Sequence, residues 1–174
     1  GAAYGCPLVG GDTSVWDHPL LISVTVVGEP GVGGPVTRRG ARVGDAVCVT
    51  GRLGGSGKTV NGYTHHLDFE PRLSVARKLA TVPGVTLRCM IDLSDGLAMD
   101  LPRLCELGEG GGVGAELWSG RLPISEAAQA AAAEDGRPAW EHALADGEDY
   151  ELCFTLSAAQ VGSALPREIE GVPV

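Results

Sequence analysis

Several runs of this chain alternate apolar with polar residues or are rich in β-branched residues, which is typical of β-strands. In the run at 20–27, Leu20, Ile22, Val24 and Val26 share one face, while Ser23 and Thr25 lie on the other. The run from Tyr150 to Leu156 alternates in the same way and is the best candidate for a core strand. These patterns predict strands at 20–27, 46–50, 113–118 and 150–156.

Other segments repeat leucine or alanine at helical spacing. Predicted helices begin near residue 71 and after residue 96, and occupy about 125–134, 138–145 and 157–165. Pro102 falls inside the second of these, which predicts a kink or a restart with Asp100 as the new cap. Ser125 and Ser157 are predicted to cap the helices that follow them.

The alternation of strands with helices predicts an α/β or α+β fold with a mixed sheet. The tract at 28–35, GEPGVGGP, contains four glycines and two prolines and predicts a linker or long turn. We therefore expect two parts, with residues 1–35 ending one domain and residues 36–174 forming the next.

Composition narrows the possible partners. The chain has 174 residues and a formal net charge of −9, which argues against nucleic acid bound by general electrostatic attraction. A nucleotide remains possible, because a metal can bridge acidic side chains to phosphate. The apolar run at 20–27 is too short to cross a bilayer, so no membrane partner is expected. Five cysteines without a CxxC pair predict reduced thiols and a cytoplasmic protein.

The stretch IDLSDGL at 91–97 joins an apolar run to a predicted helix. Asp92, Asp95 and Asp100 follow one another closely, and no cationic residue lies between them in sequence. Such acids repel one another unless a cation lies among them, and hard carboxylate oxygens suit Mg²⁺. Ser94 is placed to cap the helix, whose N-terminus favours phosphate. The alternative is an ordinary helix start with acids near the positive end of the dipole.

Three other residues are candidates for ligand binding. In GGDT at 10–13, Asp12 follows two glycines, so its backbone can approach a phosphate closely; the alternative is an ordinary turn. Arg38 carries a guanidinium group that matches phosphate geometry, unless it is a solvated surface residue. In GEDYELCF at 147–154, Glu148 can reach a cationic ligand, unless this is a solvated acidic turn.

Two other patterns do not support the chemistry they suggest. GGSGKT at 54–59 looks like a P-loop, but Arg52 stands where that motif needs glycine, and the next residues are a poor helix start. His65 and His66 are adjacent, so their side chains diverge in regular structure, and no third ligand has suitable spacing. We expect surface or loop histidines there.

The order and spacing of the motifs resemble the thiamine-monophosphate kinase family over nearly the whole chain. The matching segments are GGDT, a strand, TRRGARVGD at 37–45, IDLSDGL and GEDYELCF. The resemblance implies the aminoimidazole ribonucleotide synthetase-like fold: the end of an N-terminal domain, followed by most of a C-terminal domain. It implies transfer of the γ-phosphate of ATP to thiamine monophosphate, with Mg²⁺, in a protein that is a homodimer when complete.

Carried over by motif, the resemblance implies three sets of residues. The metal ligands would be Asp12, Asp92 and Asp95. ATP would contact Gly11, Asp12, Arg38 and Ser94. Glu148 would contact thiamine monophosphate, and no residue is expected to be a covalent nucleophile.

Alternatives remain open at this point. The chain could be a sister enzyme with another phosphorylated or carboxylated substrate, against which GEDYELCF argues. It could also be a non-catalytic paralogue that acts as a binding module, against which the retained acids argue.

Overall fold

The computed structural model describes residues 1–31, 33–61 and 64–174. Its strands are β1 (Asp45–Val49), β2 (Leu87–Asp92), β3 (Leu152–Ser157), β4 (Glu168–Ile169) and β5 (Val172–Pro173). Its α-helices are α1 (His65–Asp68), α2 (Leu73–Leu79), α3 (Leu97–Glu106), α4 (Glu126–Asp135), α5 (Ala139–Ala145) and α6 (Ala158–Val161). Short 3₁₀ helices cover Ala2–Tyr4, Glu109–Gly111 and Ser119–Arg121.

The centre of the fold is a three-stranded sheet in the order β1-β3-β2. Both ladders are antiparallel, and Phe154 in the central strand is opposite Cys48 on one side and Met90 on the other. β4 and β5 form a separate hairpin. The α+β class is confirmed. Among the described residues, the sheet is antiparallel rather than mixed. A parallel pairing does occur, as an isolated bridge between Leu53 and Ile124 outside the named strands.

The sheet is covered on both faces. On one face Phe154 and Leu156 pack against α2, through Val75 and Leu79, and against Ile169 of the hairpin. On the other face Cys153 lies in a second core cluster with α3 and α5. The sequence indicated a single apolar face for β3, yet Thr155 on the opposite face is also buried. A central strand with both faces covered has no solvated side, so its polar residue is buried as well.

One helix start agrees with the sequence prediction and another differs from it. Ser125 caps α4 as predicted, accepting a hydrogen bond from Ala128 N at 3.0 Å. α3, however, has Gly96 and not Ser94 at its N-cap, and no side chain caps it. Pro102 lies inside α3 without ending it. The carbonyl that Pro102 leaves unpaired belongs to Ala98, which is exposed, so water can satisfy it.

The strand predicted at 20–27 is wrong for this chain. These residues form no strand, and the apolar side chains from Leu20 to Val27 are between 72% and 90% exposed. A strand needs a neighbour to pair its backbone groups, and none of the described residues provides one. The predicted strand at 113–118 does not form either. Among the described residues, no helix is long and apolar enough to span a bilayer.

Candidate functional site

The two acidic motifs, which are separated by some fifty positions in sequence, form one continuous backbone structure. Leu93 N donates to Glu151 O, Tyr150 N donates to Leu93 O, and Glu148 N donates to Ser94 O, each at 2.8 Å. These bonds extend the ladder between β2 and β3, in which Asp92 is opposite Leu152. The turn after β2 and the turn before β3 are therefore fixed side by side at one end of the sheet.

Glycines allow this close approach. A Cβ atom on Gly96 would lie 2.8 Å from Leu144 O, and one on Gly147 would lie 3.0 Å from Ser94 O. Both residues also have positive φ, at 93° and 70°. Larger residues would push the two turns apart, so the glycines of IDLSDGL and GEDYELCF are required by the packing of one motif on the other.

The turn before β3 is held in a conformation that non-glycine residues rarely adopt. Glu148 and Tyr150 have φ values of 53° and 50°. Ser56 Oγ secures the turn by bonding to Gly147 O at 2.8 Å and to Glu148 O at 2.7 Å. Such strain persists only where the surroundings enforce it, and it concentrates at functional sites. The carboxylate of Glu148 stays about half exposed, as its predicted role as a ligand-binding residue requires.

The acid cluster of the first motif contains a cation, which corrects the sequence interpretation. Arg103 bonds to Asp95 Oδ2 at 2.6 Å and to Asp100 Oδ1 at 2.5 Å. The hydrogen bond with Asp95, together with the charges of Asp95, Asp100 and Asp92, raises the pKa of Arg103. One helical turn places Arg103 beside Asp100, so the cation comes from α3 itself.

Asp100 is part of the framework of this turn. Its side chain is fully buried, and its Oδ2 accepts a hydrogen bond from Asp95 N at 2.9 Å. The sequence predicted that Asp100 caps a helix restarted near Pro102, and this prediction is wrong. Asp92 and Asp95 are exposed and keep carboxylate oxygens that can bind a ligand.

The remaining predicted site residues lie outside this arrangement. Gly11, Asp12 and Arg38 are exposed, and Asp12 Oδ1 accepts a hydrogen bond from Thr13 N at 2.8 Å. Across residues 1–31, 33–61 and 64–174, no group of three or more His, Cys, Asp or Glu side chains is placed to hold a metal. Asp12 therefore does not complete a ligand set with Asp92 and Asp95 here, and these assignments stay predictions.

Sequence reasoning missed the buried acids of the second motif. Asp149 is 1% exposed, and its Oδ1 accepts from Gly54 N at 2.7 Å and Gly55 N at 3.1 Å. Burial raises its pKa to about 7; the two backbone bonds oppose the rise, and the charges of Glu151 and Asp146 add to it. The glycine-rich loop thus binds a carboxylate of the chain itself. Residues 58–61 form no helix, which agrees with the rejection of a P-loop.

Glu151 is buried in an ion pair. Arg72 donates to its two oxygens at 2.8 and 2.6 Å, and Thr50 Oγ1 donates at 2.5 Å. A Cβ atom on Gly51 would lie 2.0 Å from Glu151 Oε1, so only glycine fits beside this carboxylate. The alternation of β3 gave no signal for this burial, because Glu151 falls on the face opposite the predicted apolar one.

The paired histidines also lie on the acidic turn, contrary to the prediction of surface or loop positions. The ring of His65 hydrogen-bonds to Asp149 O, and His66 Nδ1 lies 4.0 Å from Glu148 Oε2. Phe69 stacks on Tyr150 with ring centroids 4.2 Å apart. The segment from α1 to Phe69 thus packs along three successive residues of the turn.

A polar cleft of about 350 Å³ opens beside Glu148. Its wall includes Lys58, Asp146 and the buried His142, whose Nδ1 lies 2.8 Å from Asp146 Oδ2. The opposite ring nitrogen lies 3.3 Å from Asp135 Oδ1. Hydrogen bonds from Arg137 lower the pKa of Asp135 to about 2. The cleft is of the size that small-molecule ligands occupy and carries charges of both signs.

Comparison with known proteins identifies relatives of this chain. The chain matches no protein-family model. It is 43% identical over 171 residues to thiamine-monophosphate kinase of Rhodopirellula baltica, a match that covers 98% of this chain and 50% of that protein.

Two solved structures have the same fold over most of the chain. The structure of AaThiL complexed with AMPPCP and TMP is 30% identical, with a TM-score of 0.59 over 72% of this chain and 43% of that one. Thiamine-monophosphate kinase from Stenotrophomonas maltophilia is 28% identical, with a TM-score of 0.61 over 76% of this chain and 46% of that one. The chain spans about half the length of the relatives it matches, and by sequence and fold it belongs to the thiamine-monophosphate kinase family.

Proposed function

We propose that this chain forms part of an enzyme that transfers the γ-phosphate of ATP to thiamine monophosphate and yields thiamine diphosphate. The observation that carries the proposal is the backbone pairing of the two family motifs, which places Asp92 and Asp95 next to Glu148 at one end of the sheet. A relative with this fold has been solved with AMPPCP and TMP.

The residues present fit a magnesium ion. Mg²⁺ uses one or two carboxylates and completes its shell with water and substrate phosphates, so Asp92 and Asp95 are sufficient as its ligands in this part of the protein. When bound, the ion would neutralise the crowded charge of the phosphates. Asp12 is proposed as a further ligand, and Gly11, Arg38 and Ser94 as contacts of ATP, on the basis of the family motifs alone.

Glu148 is proposed to contact thiamine monophosphate. Its carboxylate is exposed at the edge of the polar cleft, where it can complement the cationic thiazolium ring. The strained backbone and the bonds from Ser56 hold the backbone of Glu148 in place before the substrate arrives. Such preorganisation lowers the cost of ordering the site on binding.

The reaction makes little demand on acid–base groups. The acceptor is a phosphate monoester with a second pKa of about 6, so it is already an anionic nucleophile at neutral pH. Catalysis then depends on positioning and on electrostatic stabilisation of the transferring group. For this reason no side chain of the chain is assigned a covalent role.

Two further features belong to the proposal. The complete protein is proposed to be a homodimer, as the family resemblance implies; the exposed apolar side chains at 20–27 are consistent with a surface that is buried in the complete protein. The proposed compartment is the cytoplasm, supported by the free cysteines, two of which are buried.

The test is thiamine diphosphate formation from ATP and thiamine monophosphate by the complete protein, beside a panel of other phosphorylated or carboxylated acceptors. We expect thiamine monophosphate to be the preferred acceptor. Glu148→Gln should raise KM for thiamine monophosphate about tenfold and leave ATP binding nearly unchanged, because it removes charge at the substrate side only. Preference for another acceptor, or a loss confined to ATP, would overturn the assignment.

A further inference from the structure

Arg103 lies where a cation is needed between the acids of the first motif. Its two terminal nitrogens bond to different carboxylates, Asp95 at 2.6 Å and Asp100 at 2.5 Å. The negative charge of Asp92 also acts on it. The guanidinium group thus pairs with Asp95, one of the carboxylates that the proposed function gives to a divalent cation.

The two ends of this bridge differ in burial. Asp100 is fully buried and holds the backbone of Asp95 through its second oxygen, so this end is fixed independently of the Arg103–Asp95 contact. Asp95 is 53% exposed at its side chain and Arg103 is 40% exposed. An exposed ion pair contributes little free energy, so the Arg103–Asp95 contact can open while the turn keeps its shape.

We propose that Arg103 occupies the cation position in the metal-free protein and competes with the divalent cation for Asp95. This inference rests on the proposed function, since it assumes that Asp95 is a metal ligand. Cation binding requires the guanidinium group to release Asp95 and to retain only its bond to Asp100. Arg103 is thereby a positioning residue: it keeps Asp95 in place and its charge balanced until the metal arrives.

A static brace is the competing explanation, and it predicts the opposite result. If Arg103 only orients Asp95, its removal should loosen the carboxylate and weaken cation binding. If Arg103 competes, removal of its positive charge should strengthen binding, because a nearby charge of like sign no longer repels the cation.

The experiment measures Mn²⁺ binding to the whole 174-residue chain, from the electron paramagnetic resonance signal of the free ion at low salt. The variants are Arg103→Gln, the charge-retaining Arg103→Lys, and Arg42→Gln as a matched control. Arg42 is likewise an exposed arginine paired with a carboxylate, here Glu109, and it lies outside the proposed site. We expect the Kd to fall about tenfold in Arg103→Gln and to stay within about twofold in the other two.

If the unmodified chain binds Mn²⁺ measurably and Arg103→Gln binds it equally or more weakly, the proposed competition is refuted. The proposed function would still stand. Absence of Mn²⁺ binding in every variant, both in this chain and in the complete protein that contains it and with or without ATP, would overturn both. Loss of Arg103 also removes a partner of the buried Asp100, so circular dichroism must show that the variant is folded. If the variant is unfolded, NMR of the unmodified chain provides the test. Addition of Mg²⁺ should shift the signals of the terminal nitrogens of Arg103. If the signal of Asp95 shifts and those of Arg103 do not, the proposal is refuted.

Discussion

Residues 20–27 and strand β3 have similar strand-forming patterns, yet only β3 is a strand. β3 pairs with β1 on one side and β2 on the other, and Phe154 and Leu156 are fully buried. In the first segment Ile22 is 74% exposed. The difference shows that β-propensity describes how well a side chain fits a sheet and does not supply the sheet.

The family motifs differ in the same way, because some lie on paired strands and GGDT does not. IDLSDGL and GEDYELCF lie at the ends of paired strands, so the register of the sheet fixes them against each other. GGDT lies in the exposed segment at 1–31, and Asp12 Oδ1 accepts a local hydrogen bond from Thr13 N. A motif forms part of a site when the strands that carry it are paired, and this chain pairs the strands that carry IDLSDGL and GEDYELCF but forms no strand beside GGDT.

The largest expected effect concerns the activity of the chain by itself. Since it spans half the length of its relatives and leaves Asp12 apart from Asp92 and Asp95, we expect thiamine diphosphate formation at least about a thousandfold below that of the complete protein. The assay compares the purified chain, with and without the separately expressed remainder, to the complete protein. Near-full turnover by the chain alone would show that residues 1–31 complete the site without the remainder of the protein.

Stability should differ between the two regions nearly as sharply. Phe154→Ala should lower the free energy of unfolding by about 3–5 kcal/mol, because it leaves a cavity between the sheet and α2. Ile22→Ala, which removes an exposed apolar side chain, should change it by less than about 0.5 kcal/mol. Urea denaturation measures both values. Similar losses would mean that residues 20–27 pack against the sheet in solution.

Asp95→Asn tests the paired motifs for function rather than packing. In the complete protein, turnover should fall about a hundredfold, because the change keeps the shape and removes the charge of a proposed metal ligand. The free energy of unfolding should change by less than about 1 kcal/mol, since the pair with Arg103 is exposed. Glu109→Gln, which breaks another exposed ion pair, is the matched control. Full turnover with unaltered Mg²⁺ dependence in Asp95→Asn would remove Asp95 from the site.

The smallest effect is a pH dependence that originates at Asp149. Its pKa is about 7 in the folded chain and about 4 when unfolded, so the folded state binds more protons between these values. The free energy of unfolding should therefore decrease as pH rises from about 4 to 7, by up to about 1.4 kcal/mol per pH unit. Urea denaturation at pH 5 and pH 6.5 should show this slope in the unmodified chain and a flatter one in Asp149→Asn. Parallel slopes would place the titration elsewhere.

Local signals in the sequence were sufficient for much of the fold. The spacing of leucines predicted α2 and α3, and Ser125 predicted the start of α4, because helix periodicity and capping depend on residues a few positions apart. The alternation of residues 150–156 predicted β3 for the same reason. The failures at 20–27 and 113–118 concern strands, which form only with partners that lie far away in sequence.

The sequence by itself determined which residues carry charge and which motifs they belong to, and that was enough to indicate the family and to nominate Asp92, Asp95 and Glu148. Only the tertiary structure decided what each acid does. Sheet register buried Glu151 against Arg72, the glycine-rich loop enclosed Asp149, and one turn of α3 brought Arg103 to Asp95. These roles depend on how deeply each charge is buried and on its distance from other groups in the fold. Both quantities set the free energy of the charged form, and no local sequence pattern encodes them.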